Sequence, residues 1–224
     1  MLKLNKIYNK DCLEGLKQIP NNFVDPPYKM EAHGRGMASK RELYKEMESY
    51  TNLNNDWYCE EILDEYVRVC KFPNIFLFCG KNDLVKILNY AEKHNYFYFI
   101  LPICKKTPMP FVNNTWMSNE YAVHIIDRKL DYTMQYNLKI PYFIVDNKKE
   151  TNHPNEKNLD MIKKIIANIT FEGACVLDCF VGSGSIPVGC LSLGRAFIGF
   201  EIDNKYFKMA NDRLKQLNDE PELF

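Results

Sequence analysis

The chain has 224 residues, 46% of them apolar and 26% charged, with 29 Lys+Arg balanced by 29 Asp+Glu. That length suits one domain, or one domain carrying insertions, and the apolar fraction excludes a disordered chain. No apolar run approaches the ~18 residues of a membrane span, and zero net charge argues against tail-driven, non-specific nucleic-acid binding while leaving room for a local basic patch.

In chain order, the opening MLKLNKIYNKDC is charged from Lys3 onward and lacks the apolar run of a signal peptide. Residues 29–55 form a polar stretch carrying Arg35, Lys40, Arg41 and Lys45. Residues 74–80 are a short apolar run closed by Gly80, the pattern of a buried strand. Leu84, Val85, Ile87, Leu88 and Ala91 then recur at helical spacing, predicting a helix over 82–93 capped by Asn82. Residues 96–102 are strand-like, rich in aromatics and ended by Pro102. Residues 127–152 are irregular and mix lysines with tyrosines.

Toward the C-terminus, 158–169 is predicted helical, with Leu159, Ile162, Ile165, Ile166 and Ile169 on one face. A strand over 174–178, a turn at Gly182-Ser183-Gly184 and a helix over 185–193 follow, with Pro187 tolerated in the first turn of that helix. A strand over 195–200 and a helix over 204–216 complete the pattern. Strands alternating with helices predict a doubly wound α/β fold: a mostly parallel sheet with helices on both faces. The two irregular stretches read as loops inserted on the binding edge of the sheet.

Eight cysteines are present, at Cys12, Cys59, Cys70, Cys79, Cys104, Cys175, Cys179 and Cys190, without a C-x-x-C pair. None of His33, His94, His124 and His153 lies at zinc-site spacing from another ligand, so no metal is expected. Five of the cysteines sit among apolar neighbours and read as reduced, structural thiols, which places the protein in the cytoplasm.

Two segments carry chemistry. The first is Asp25-Pro26-Pro27-Tyr28. Read alone, the tetrapeptide also fits a turn. Read for function, the prolines stiffen the backbone and offer the Pro26 carbonyl beside the Asp25 carboxylate, while Tyr28 adds a flat face. Two acceptors and a platform suit a planar base with an exocyclic amino group. Hydrogen bonds from its amino hydrogens leave the nitrogen lone pair free to attack an electrophile.

The second segment is the strand ending at Asp178, followed by Phe180, Gly182, Ser183 and Gly184. It is similar to a dinucleotide-binding turn, with Pro187 where the third glycine of G-x-G-x-x-G would stand. Glu201 ends the next predicted strand, 23 residues after Asp178, where such folds keep an acid for ribose hydroxyls. Together they predict a site for an adenosine-type cofactor.

D-P-P-Y near the start, D-x-F-x-G-S-G far downstream and then G-F-E resemble the β-group DNA amino-methyltransferases that use S-adenosylmethionine (SAM). That family's opening N-x-D-C-L is matched by Asn9-Lys10-Asp11-Cys12-Leu13, and its H-P-x-x-K by His153-Pro154-Asn155-Glu156-Lys157. A K-x-x-P-M-P-like stretch begins at Lys105 and Lys106. The resemblance covers nearly the whole chain and implies one methyltransferase domain over residues 1–224. It assigns Asp25, Pro26, Pro27 and Tyr28 to catalysis on a flipped base. Asp178, Phe180, Gly182, Ser183 and Gly184 line the cofactor pocket, and Glu201 takes the ribose. It sets Asp11 and Cys12 near the adenine and Lys157 near the methionine end. Asp11 also reads as a helix cap and Lys157 as a solvated charge.

The implied reaction transfers a methyl group from SAM to the exocyclic amine of double-stranded DNA. Within the family D-P-P-Y goes mainly with adenine N6, and S-P-P-Y mainly with cytosine N4. Carbon-5 methylation of cytosine needs a cysteine nucleophile, commonly presented after proline, and no Pro-Cys occurs. Arg35, Lys40, Arg41 and Lys45, with 29–55 and 127–152 as recognition insertions, are the candidate DNA contacts. No nuclease motif is visible, so any restriction endonuclease lies on another chain. One departure stands out: only Asn21, Asn22, Phe23 and Val24 separate Pro20 from Asp25, where the family runs a longer apolar strand. A catalytically impaired relative that still binds SAM or DNA is therefore the alternative, alongside a cytosine-N4 enzyme.

Overall fold

The computed structural model describes residues 2–21, 58–106, 120–129, 142–146, 151, 153 and 156–219. In chain order its elements are β1 (Lys6–Asn9), α1 (Cys12–Leu16), α2 (Glu60–Val69), β2 (Asn74–Cys79), α3 (Lys81–Lys93), β3 (Phe97–Lys105), β4 (Glu120–Ile126) and β5 (Phe143–Val145). They continue with α4 (Leu159–Ile169), β6 (Cys175–Asp178), α5 (Ser185–Ser192), β7 (Ala196–Glu201) and α6 (Asn204–Asp219).

Among the described residues β1, β7 and β6 lie side by side in that order, both pairs parallel. β2, β4, β3 and β5 form a second sheet, in which β5 is parallel to β3 while β4 runs antiparallel to both neighbours. Parallel pairings thus outnumber antiparallel ones, as the sequence predicts, and β4 is the exception.

Strand alternation sends neighbouring side chains to opposite faces, and each face carries a core. Phe76 and Phe78 of β2, Val176 of β6, Phe197 of β7 and Ile7 of β1 join the helices α4, α5 and α6 in one cluster. Ile75 and Leu77, Leu177, Ile198 and Phe200 point the other way and meet α1, α2 and α3. Both clusters draw on strands of both sheets, so the sheets share two helical layers. This is the doubly wound α/β arrangement.

The helices form where periodicity and caps agree. α4 buries Met161, Ile162, Ile165, Ile166 and Ile169, and Asn158 Oδ1 caps it by accepting from the Met161 N–H at 2.9 Å. Each such side chain contributes about 1.5–3 kcal/mol on burial. α3 differs from its prediction. Gly80 rather than Asn82 is its N-cap, and the Gly80 carbonyl accepts from the N–H groups of Asp83 and Leu84. The chain turns into the helix directly after β2, which leaves no room for a cap two residues later.

β3 also departs, running past Pro102 to Lys105. β5 joins it only from Ile103 onward, so Pro102 has a strand partner on one side alone, where a missing N–H is tolerated. Within 127–152, read as irregular, Phe143–Val145 is a strand that buries Phe143 and Val145. All eight cysteines are free thiols. Burial pushes the Cys79 thiol up to about 12 and Cys175 to about 11, as expected of inert structural groups. No described helix is long and apolar enough to cross a membrane.

Candidate functional site

The parallel strands β1, β7 and β6 end at one edge, and the first set of motif residues collects there. Asn9 closes β1 opposite Glu201 of β7, and its Nδ2 donates to the Glu201 carbonyl at 2.9 Å and the Ile202 carbonyl at 3.2 Å. Asp11 follows directly as the N-cap of α1, its Oδ1 accepting from Leu13 N–H at 2.8 Å and Glu14 N–H at 3.3 Å. It is therefore a helix cap, and that cap fixes α1 and the buried Cys12 beside the ends of β1 and β7.

Asp178 ends β6 fully buried, and its Oδ1 accepts from the Phe180 N–H at 3.1 Å. That bond turns the chain out of the strand into the glycine turn. Gly182 and Gly184 sit at φ +53° and +82°, the left-handed region. A Cβ on Gly182 would stand 3.1 Å from the His153 ring, and one on Gly184 3.1 Å from the Ala210 backbone. Glycine thus meets two demands at once: the backbone sign and close packing against His153 and α6.

Glu201 ties this turn to the end of β7. Its Oε2 accepts from Gly182 N–H at 2.7 Å and its Oε1 from Asp203 N–H at 2.9 Å. Burial pushes its carboxyl pKa up, against the pull of those N–H groups. Each oxygen keeps a second lone pair for an incoming hydroxyl.

Lys157 links the start of α5 to the second sheet. Its carbonyl accepts from Ser185 Oγ at 3.1 Å, beside the glycine turn. Its Nζ lies 4.8 Å from the centre of the Phe78 ring and donates to Glu120 Oε2 at 2.6 Å. Lys105 Nζ donates to the other oxygen, Glu120 Oε1, at 2.6 Å. Burial raises the Glu120 pKa, but the two lysines outweigh it and hold the carboxyl at about 2. Lys157 is accordingly a fixed charge and not a solvated one. Glu120 and Arg213, which touches the turn from α6, carry no motif signal in the sequence.

The structure therefore brings Asp11, Cys12, Asp178, Phe180, Gly182, Ser183, Gly184 and Glu201 to one edge, with the Lys157 backbone against them. Asp25, Pro26, Pro27 and Tyr28, and Arg35, Lys40, Arg41 and Lys45, lie outside the described residues.

Comparison with known proteins adds to this geometry. Residues 22–212 match the family model N6_N4_Mtase, described as DNA methylase. The chain is 40% identical over 238 residues to the type II methyltransferase M.HpaI of Haemophilus parainfluenzae, covering 91% of this chain and 72% of that protein. It is 29% identical over 253 residues to the DNA adenine methyltransferase YhdJ of Escherichia coli strain K12, covering 93% and 82%. The crystal structure of an M1.HpyAVI–SAM complex superposes with a TM-score of 0.71 at 22% identity, over 93% of this chain and 98% of that one.

Proposed function

The chain belongs to the N6_N4_Mtase family of DNA methylases, and from that premise we propose that it transfers the methyl group of SAM to the N6 amine of adenine in double-stranded DNA. The observation that carries the reading is the convergence of Asp11, the 178–184 turn and Glu201 at one edge of a parallel sheet. Ligands of open α/β sheets bind at that edge.

The residues present fit SAM. Glu201 offers buried carboxylate oxygens for ribose hydroxyls, and the Gly182–Gly184 turn, held to Glu201 and packed on His153 and α6, forms a fixed wall beside them. Cys12 lies by the expected adenine and Lys157 by the methionine end. Bound there, SAM supplies an electrophilic methyl on a sulfonium. Asp25 and the Pro26 carbonyl accept from the exocyclic amine, orient its lone pair and stabilise the positive charge that grows on nitrogen. Pro27 stiffens that segment, and Tyr28 stacks on the extruded base, which offsets part of the few kcal/mol that flipping costs. Positioning rather than acid–base chemistry carries most of the rate. Arg35, Lys40, Arg41 and Lys45 contact phosphates. Asp-Pro-Pro-Tyr, and the similarity to the DNA adenine methyltransferase YhdJ, favour adenine over cytosine.

The short Asn21–Val24 span before Asp25 favours one other reading, a relative that binds SAM without transferring its methyl. Nucleoside mass spectrometry of unmethylated mixed-sequence DNA, incubated with the protein and SAM, separates the cases. N6-methyladenine is expected, reduced by about 100-fold or more in Asp25→Ala. N4-methylcytosine would move the reading to the other amine. SAM bound by calorimetry with no methylated base would favour the impaired relative.

A further inference from the structure

Arg213 and Glu156 form an ion pair at 3.2 Å, with side chains only 11% and 3% exposed. Burying such a pair costs several kcal/mol per ion in lost hydration, so it is poorly explained as a device for stability alone. Its surroundings suggest another purpose. Glu156 Oε2 accepts from the Thr151 N–H at 2.7 Å and the Thr151 hydroxyl at 2.8 Å. Arg213 Nη1 donates to the Ser183 carbonyl at 3.2 Å and to Ser185 Oγ at 3.1 Å. Ser185 Oγ lies 3.2 Å from Ser183 Oγ and donates to the Lys157 carbonyl.

Followed round, these bonds join the glycine turn, the residues Thr151, Glu156 and Lys157, and helix α6. The turn and Lys157 are the two pieces that flank the SAM site of the proposed function. The turn rests on two left-handed glycines that supply no stiffness of their own. An arginine held by a buried carboxylate and donating to a turn carbonyl supplies that stiffness from outside the pocket.

We propose that Arg213 and Glu156 are positioning residues that lock the Gly182–Gly184 turn to the Lys157 segment and so preorganise the SAM pocket. The inference rests on the reading of that pocket as a SAM site. Without the pair, only neutral links such as the Ser185 Oγ–Lys157 carbonyl bond join the two walls, and the ligand must supply more of their ordering on binding.

The test uses the full chain and the double variant Glu156→Gln/Arg213→Gln, which removes both charges and leaves neither buried alone. Arg213→Lys accompanies it, keeping a charge opposite Glu156 but ending one atom short of Nη1, the nitrogen that makes all three contacts. SAM binding is read by calorimetry, folding by thermal melting without ligand, and catalysis by separate KM values for SAM and DNA. The double variant is expected to bind SAM about tenfold more weakly and to raise KM for SAM with KM for DNA unchanged. Arg213→Lys should fall between it and the wild type. Wild-type SAM affinity in both variants, whether or not they melt earlier, would overturn the positioning role while leaving the SAM site intact. Equal rises in both KM values would also overturn it. A wild-type protein that binds no SAM would overturn the proposed function itself. Should the double variant fail to fold, Arg213→Lys alone decides.

Discussion

Glu201 is 8% exposed, and each of its carboxylate oxygens already accepts a backbone N–H. Desolvation raises its pKa, so the protein keeps a carboxylate where charge is disfavoured, in return for a fixed turn and an acceptor at its edge. Glu201→Gln tests that exchange at constant size. An amide has one acceptor oxygen and an NH2 group, so the N–H of either Gly182 or Asp203 meets a donor. A buried donor left unsatisfied costs about 1–3 kcal/mol. The variant is expected to melt several degrees lower and to bind SAM at least about tenfold more weakly, because a ribose hydroxyl then competes with the turn for one oxygen. Unchanged affinity in a calorimetric titration would show that the carboxylate does not serve the ligand. Asp11 answers a different question: its Oδ1 is committed to the cap of α1, so Asp11→Ala acts on SAM through the placement of α1 as well as through the ligand contact expected of its carboxylate.

At the scale of elements, α1 is five residues long and too short to hold itself, so its packing against β7 decides its position. Gly15 makes that packing possible: a Cβ there would stand 2.4 Å from Cε1 and Cζ of Phe200, a ring with no exposed surface in which to retreat. Alanine raises helix propensity by about 1 kcal/mol, whereas overpacking a tight core costs about 1–3 kcal/mol. Sterics win, so Gly15→Ala should lower the melting temperature and weaken SAM binding as Cys12 is carried off the edge. A higher melting temperature would show that the helix shifts without cost. The same contrast explains which elements were legible. α4, with its isoleucines in register and Asn158 as cap, announces itself, as do β6 and β7 around the glycine turn. β1 has only four residues and buries just Ile7, so no periodicity marks it. β4 is an apolar run interrupted by His124, and β5 is three residues long. α2 buries Leu63, Tyr66 and Val69 behind a charged surface that hides the repeat. The alternation of strands and helices gives no sign that β4 runs antiparallel, because direction comes from tertiary pairing.

For the whole molecule, the motif residues of the site could be read from the chain because backbone demands fix their identity and spacing: glycine at positive φ and an acid at a strand end. The supports could not, since Arg213, Glu156 and Glu120 meet their partners only through tertiary packing. His124 is a support of this kind, and acid stability depends on it. It is buried on β4, with Nε2 2.6 Å from Asn74 Oδ1, while Asn74 Nδ2 donates to the Ile169 carbonyl at the end of α4. The Asn74 oxygen can only accept, so the imidazole Nε2 carries the proton and donates it, linking β4 through β2 to α4. Burial lowers the His124 pKa to about 3. The unfolded chain binds a proton near pH 6.5 and the folded chain only near pH 3, so this group costs stability as pH falls between the two. The slope is about 1.4 kcal/mol per pH unit, or about 2–3 kcal/mol lost by pH 4.5. Two carboxyls titrate differently. The depressed Glu120 gives stability that is lost only as pH falls from about 4.5 toward 2. The raised Glu201 acts in the opposite sense, since the folded chain takes up its proton first. Both remain in His124→Gln, which keeps a donor for Asn74 and does not titrate. Urea unfolding of both proteins at pH 7 and pH 4.5 isolates the histidine by difference. The wild type is expected to lose about 2–3 kcal/mol more than the variant over that interval. Parallel losses would mean that His124 charges in the folded protein, and the buried hydrogen-bond chain would then have to open to admit the proton.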